Sequence, residues 1–361
     1  MKNKLQNTRI EFHILQSFPV SCLNRDDVGA PKSAMIGGTL RARVSSQCWK
    51  RAIRMAMHDY CGVQTASRTR LVQKFIQDAC QAEGAAEDQA LACGETVAKA
   101  LTKTVKDGES DTLFYISKAE AKTVAEFFKA NGFDASKDAK ELVKLLRSNV
   151  NTVVDGVDIA LFGRMAASAP ELNVEASASV AHAISTHKAV SEVEFFTAVD
   201  DVKVDQEILG SGHMGSLEFN SATYYRYISL DLGQLLANLG NDDSLDLSPA
   251  ISAFTKALYL AVPNARQTTM TASTLWDYAQ VVVRKGQRIQ ASFETAVTKK
   301  DTPSLMEASK KELKGQLERA EKLSGSLYGK IASFEFGENE DFSIDALADA
   351  LTAEVRKLQL G

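Results

Sequence analysis

The stretch Arg41-Ala-Arg-Val-Ser-Ser-Gln-Cys-Trp-Lys-Arg-Ala-Ile-Arg54 decides how the chain is read. It opens as a short strand, with Leu40, Ala42 and Val44 on one side and Arg41 and Arg43 on the other. Ser45 or Ser46 then suits a helix N-cap. Steps of about 100° per residue gather Gln47, Lys50, Arg51 and Arg54 on one helical face. Cys48, Trp49, Ala52, Ile53, Ala56 and Tyr60 cover most of the other. Such a helix packs on its back and is basic on its front. From Val28 to His58 there is no Asp or Glu, while Lys32, Arg41, Arg43, Lys50, Arg51 and Arg54 all lie there. An ordinary solvated helix mixes signs, so this unopposed charge points to an anionic partner. The helix N-terminus adds free N–H groups and the positive end of the dipole.

Upstream, Arg9 to Phe18 alternates as a strand with Ile10, Phe12 and Ile14 on one face. The turn formers Asn24, Asp26, Asp27, Gly29 and Pro31 follow, and Gly37-Gly38 leads into the basic strand. Downstream, residues 64–146 become rich in Ala, Lys, Glu and Gln without proline. They predict successive amphipathic helices broken at Asp107-Gly108 and Asn131-Gly132, a helical insertion in a β-containing domain. Strand character returns from Asn151 to Met165. The alternating runs Ala176–Ala183 and Val190–Val199 predict a projecting β-ribbon on which Phe195 and Phe196 face opposite sides. Exposed aromatics there suit stacking on bases or wedging between them. The loop Leu209–Gly215 carries a weak GxG pattern and reads as a flexible connection. Two charged amphipathic helices flank Ala332–Phe336 near the C-terminus.

A chain of 361 residues with 45% apolar content supports a large core, and its net charge of −4 excludes a generally basic coat but not a local basic track. Five scattered cysteines without a CxxC pair fit free thiols of a reducing compartment. No apolar run is long enough for a bilayer span, so a cytoplasmic protein with no membrane partner is expected. His13, His58, His182, His187 and His213 lack metal-ligand spacing, and no nucleophile elbow or Walker loop is present. Neither a metal nor a cofactor is expected.

Several segments, in order along most of the chain, resemble the backbone-forming, CRISPR RNA-binding subunit (CasC) of the type I-E Cascade complex. They are Ser21-Cys-Leu-Asn-Arg-Asp-Asp27, Gly37-Gly38, Arg43 to Arg51, Gly156 to Met165, Ala181 to His187, Phe195 to Asp201 and Phe219 to Tyr227. The resemblance implies an α+β fold. Its palm is a modified RRM (ferredoxin-like) domain, built from residues 1–63, 147–165 and 201–361 with the C-terminal helices. Helical fingers take residues 64–146 and a β-hairpin thumb 166–200. It implies a non-catalytic subunit that polymerises along CRISPR RNA and leaves guide bases open to a target DNA strand. Its further partners would be more copies of itself, other Cascade subunits and a recruited helicase-nuclease. Carried over by position, Lys32, Ser45, Gln47, Lys50 and Arg54 contact guide phosphates, with Arg51 added. Arg41, Arg43, Ser46 and Arg164 complete the basic and polar set. Met165 would pack at the guide's kink, and Phe195, Phe196 and Thr197 would form the thumb wedge. The first wedge aromatic is often Trp in relatives, and Phe195 keeps the plane but loses an N–H donor. Binding guides of any sequence requires contacts to backbone rather than base edges, which this residue set supplies. The rival reading is a metal-dependent endoribonuclease using Asp26 or Asp27, as in type III relatives. The simpler role for both is forming the turn.

Overall fold

The computed structural model describes residues 3–102, 105–136, 139–148, 156–198, 213–240, 242, 244–300 and 302–360. The fold is mixed α and β around an antiparallel sheet. The first strand, β1 (Thr8–Ser21), is followed by a hairpin of β2 (Ser33–Ile36) and β3 (Thr39–Val44) and by helix α1 (Ser46–Tyr60). Gly37 and Gly38 both take positive φ (55° and 71°), which the two-residue turn of this hairpin requires. The next segment comprises β4 (Ser67–Thr69), α2 (Val72–Ala82), α3 (Glu87–Leu101), β5 (Val105–Lys106), β6 (Glu109–Ser110), β7 (Phe114–Ile116), α4 (Lys118–Ala130) and α5 (Ala139–Ser148). A short α6 (Val157–Phe162) leads to β8 (Ala178–Val180), β9 (Ala183–Ser185), β10 (Glu192–Ala198) and the long β11 (His213–Asp231). The chain finishes with α7 (Leu232–Asn238), α8 (Ser248–Leu260), α9 (Gln267–Met270), β12 (Tyr278–Lys285), α10 (Leu305–Ser324), β13 (Lys330–Phe336) and α11 (Ile344–Leu360).

The sheet runs β13-β12-β1-β11-β9-β3-β2, with β8 and β10 also paired to β11. On one face Ile10, Phe12 and Ile14 of β1 pack with Trp49 and Ile53 of α1, Phe254 and Leu258 of α8, and Leu347 and Leu351 of α11. On the other, Leu15, Tyr225, Tyr227 and Tyr278 meet Phe293 and the α10 residues Leu313 and Leu317. The sheet is therefore covered on both sides. Helices α2 to α5 surround a separate core that includes Val72, Ile76, Val97, Val124, Phe128 and Leu142. That interior is apart from those on the two faces of the sheet. No helix among the described residues is long and apolar enough to cross a membrane, and the five cysteines are free thiols.

Three local expectations need correction. Val157 to Phe162 is helical rather than a strand, bounded by Gly156 (φ 75°) and Gly163 (φ 80°). So short an apolar run does not reveal its period; residues 151–155 lie outside the described residues. The two alternating runs also do not pair with each other. Ala178–Val180 and Ala183–Ser185 join the main sheet, where small Ala178 and Ala183 let neighbouring elements approach closely. The ribbon is instead β10 with the first part of β11, from Glu192 opposite Phe219 to Ala198 opposite His213. Ala166, Ala169 and Leu172, expected at the ribbon's base, plug the helical core. The expected ribbon end at 199–200 and most of the Leu209–Gly215 loop lie outside the described residues. Finally Tyr60 is 72% exposed, at the last turn of α1, where the helix has passed the edge of the core.

Candidate nucleic-acid interface

Helix α1 is held from both ends and from below. Ser45 is its N-cap: the hydroxyl accepts from Cys48 N–H at 3.3 Å, and Ser45 N–H donates to Asn24 Oδ1 at 2.9 Å. Its first turn carries no acid, and the N–H groups of Ser46 and Gln47 have no acceptor within the helix. Underneath, Trp49 is 1% exposed and its ring lies 3.7 Å from the guanidinium of buried Arg226. That guanidinium also donates to Gln16 Oε1 (2.5 Å) and the Leu258 carbonyl (3.2 Å). Burial pulls Arg226 down to about 9, so it stays charged at neutral pH and supports a cation–π contact in a dry site. The basic front is thus mounted on a rigid base.

On that front, Gln47 and Arg51 are exposed, and Lys50 is half-buried with its ammonium 5.9 Å from the Phe162 ring. Burial lowers the Lys50 pKa, as expected of a stem lying on apolar surface with a charged tip outside. Arg43 N–H donates to the Lys32 carbonyl at 2.9 Å and its Nε to the Ser33 carbonyl at 3.3 Å, which ties the two side chains' strands together. Burial pushes the Cys48 thiol up while nearby Lys32 and Arg51 pull it down, so both cations flank one spot at the start of α1. Among the described residues Lys32, Arg43, Lys50 and Arg51 form no ion pair. Four cations without an ion pair among the described residues, beside a helix N-terminus, form a basic ridge suited to an anion.

Three arginines counted with this ridge are drawn into the protein instead. Arg41 is 0% exposed and donates to the carbonyls of Ser185 (2.7 Å) and Phe293 (2.9 Å). The segment carrying Phe293 and Glu294 covers the sheet face to which Arg41 points, so that face has a wall rather than solvent. Arg54 Nε donates to Asp158 at 2.7 Å and its Nη2 to the Ala66 carbonyl at 2.7 Å. Arg164 pairs with Glu120 at 2.6 Å, both side chains nearly inaccessible. The first of these pairs ties α1 to α6, and the second ties α4 to the loop after α6. Losing either arginine would strand a buried carboxylate.

The ribbon carries a second group. Phe195 is 77% exposed, and Phe196 is 38% exposed with its ring over Gly215, while Met165, in the loop after α6, is 82% exposed. Thr197 is also exposed. Large exposed apolar side chains on a two-stranded ribbon mark a contact surface. Asp26 holds its own turn together, its Oδ1 accepting from Val28 N–H (3.0 Å) and Ala30 N–H (2.9 Å). Asp27 is exposed. Among the described residues, no three His, Cys, Asp or Glu side chains converge as a metal site would require. A cleft of about 300 Å³ between α10, β12 and β13 mixes Lys314 and Lys330 with Glu318, Glu321 and Glu335 and lacks the ridge's single sign.

Sequence reasoning missed His182, which lies against Arg43 (Nδ1 to Nη1, 3.2 Å). The two are 139 residues apart, so no spacing signal joins them.

Fold and site together define an α+β protein that presents a basic ridge without an ion pair among the described residues and a ribbon bearing exposed aromatics. The chain belongs to the CT1975-like protein family, whose model matches residues 10–354. It is similar to a chain of a solved "CRISPR RNA-guided surveillance complex, pre-nicking", at 30% identity and TM-score 0.79 over 96% of this chain and 99% of that one. A chain of a second solved "CRISPR RNA-guided surveillance complex" is 26% identical, with TM-score 0.68 over 96% of this chain and 99% of that one. No match was found among curated proteins.

Proposed function

We propose that this protein is a non-catalytic, guide-RNA-binding component of a CRISPR RNA-guided surveillance complex of the type I-E Cascade kind. The observation that carries the reading is the ridge of Lys32, Arg43, Lys50 and Arg51, free of ion pairs among the described residues and fixed over Trp49 and Arg226. Cations and helix N–H groups bind phosphates of any sequence, which a carrier of many guides needs. In this reading the sheet and its helices are the palm, and α2 to α5 are the fingers. The β10–β11 ribbon is the thumb, whose Phe195, Phe196 and Thr197 separate stacked bases, with Met165 packing at the kink. The sheet acts as a scaffold, because Phe293 and α10 cover the face on which an RRM would stack bases. Copies of the chain line up along the guide beside other complex subunits. The exposed guide bases pair with target DNA, and a separate helicase-nuclease cuts it. The endoribonuclease reading has less support, since Asp26 is committed to its turn.

The test is co-expression with a CRISPR RNA, followed by extraction of nucleic acid from the purified complex. Replacing Lys50 and Arg51 with Glu is expected to empty it of RNA, whereas unchanged guide content would refute the reading. Arg54 is unsuitable for this purpose because its loss breaks a structural ion pair. With a free single-stranded RNA, the slope of log affinity against log salt should shrink by about 0.7 for each phosphate contact removed.

A further inference from the structure

His182 sits in the turn between β8 and β9. Its neighbours are anchored: Ala181 N–H donates to the Tyr227 carbonyl at 3.0 Å, and Ala183 is 0% exposed. The His182 side chain itself is exposed. Its Nδ1 lies 3.2 Å from Arg43 Nη1, and a guanidinium can only donate. Nδ1 is therefore the acceptor, the ring is neutral, and its proton is on Nε2. The charged groups that face it are Arg43 on β3 and Lys32 in the loop before β2, both cations. A histidine set among cations, with a fixed outward N–H, is matched to an anion.

We propose that His182 is a further RNA-binding residue, oriented by Arg43 so that its Nε2–H donates to a phosphate oxygen on the surface shared with Lys32. The inference rests on the guide-RNA reading and deepens it. It also implies coupling to pH. Desolvation first, then Arg43 and Lys32, hold the free imidazole below its ordinary value. A bound phosphodiester opposes those cations and raises it; on protonation Nδ1 gives up its acceptance from Arg43 Nη1, and the charged ring is held by the phosphate instead. Binding then takes up a proton, and affinity grows as pH falls through the interval between the two values. Other described histidines are occupied: His13 by Tyr225, His187 by the Lys188 carbonyl and Thr223 N–H, and His58 by Asp59.

The experiment measures binding of a fluorescein-labelled single-stranded RNA to the full-length protein between about pH 5.5 and 8, with unfolding midpoints recorded in parallel. His182→Ala should weaken binding about three- to tenfold at neutral pH. His182→Asn retains an acceptor toward Arg43, so it should keep the wild-type midpoint but lose the gain in affinity at low pH. His213→Asn, whose side chain lies outside the described residues, should keep that gain. Wild-type affinity and pH profile in both His182 variants would overturn the inference, as would loss of the profile in His213→Asn instead. The broader reading is judged separately: it falls only if Lys50→Glu with Arg51→Glu still binds RNA like the wild type.

Discussion

Trp49 shows how one side chain serves both fold and site. Its ring closes the core under α1 and covers the charge of Arg226, so the ridge above cannot shift without exposing an otherwise buried cation. Trp49→Ala should cost about 3–5 kcal/mol, read from the denaturant midpoint, and Trp49→Phe clearly less. A value under about 1 kcal/mol would show that α1 is held in some other way. His13 offers a test on the opposite face of the sheet. Ala291 N–H donates to the Tyr225 hydroxyl, which in turn shares a hydrogen bond of 2.9 Å with His13 Nδ1. Burial first, then Arg284, holds its pKa at about 3 against the ordinary 6.5. The folded value is depressed, so the unfolded chain takes up the proton first. The contribution to stability is complete above pH 6.5 and is lost as pH falls toward about 3. Between pH 6.5 and 5, His13→Gln should lack a loss of about 1.4 kcal/mol per pH unit seen in the wild type. Equal slopes for the two proteins would remove His13 from the account.

Among the elements, β11 does most to arrange the surface. Its later residues lie between β1 and β8–β9 in the covered sheet, and its first residues leave that sheet to pair with β10. A ribbon continuous with a central strand inherits its direction from the core. Its local packing depends on Gly215, where a Cβ would sit 2.5 Å from Phe196 Cζ. Gly215→Val should therefore push the Phe196 ring off the strand. The expected result is faster proteolytic cleavage within the ribbon at an unchanged global unfolding midpoint, because the ribbon adds little to the main core. Wild-type cleavage rates would show that the ring has room to move.

For the whole molecule, a sheet packed on both faces, a separate helical core and one ribbon suit a repeating unit that holds an extended polymer, with α1 tied to α6 by Arg54–Asp158 and α4 tied to the loop after α6 by Arg164–Glu120. If copies line up on the guide, native mass spectrometry should show oligomers that grow in steps as the RNA is lengthened. A fixed stoichiometry on RNAs of every length would exclude that arrangement. The sequence by itself determined the amphipathic α1, the β1 strand, the helical segment with its own apolar periodicity and the acid-free run of charge. Each of these is written in neighbours a few residues apart, where local period and charge count suffice. Only the tertiary structure decided which arginines remain free, since Arg54 meets Asp158 from 104 residues away and Arg41 meets Ser185 from 144. It alone paired β10 with β11 rather than with the preceding alternating run, and it alone brought His182 to Arg43. A charge count within one segment cannot register a carboxylate or carbonyl that folding delivers from a distant part of the chain, and for a cation that delivery separates a buried clamp from a surface open to an anion.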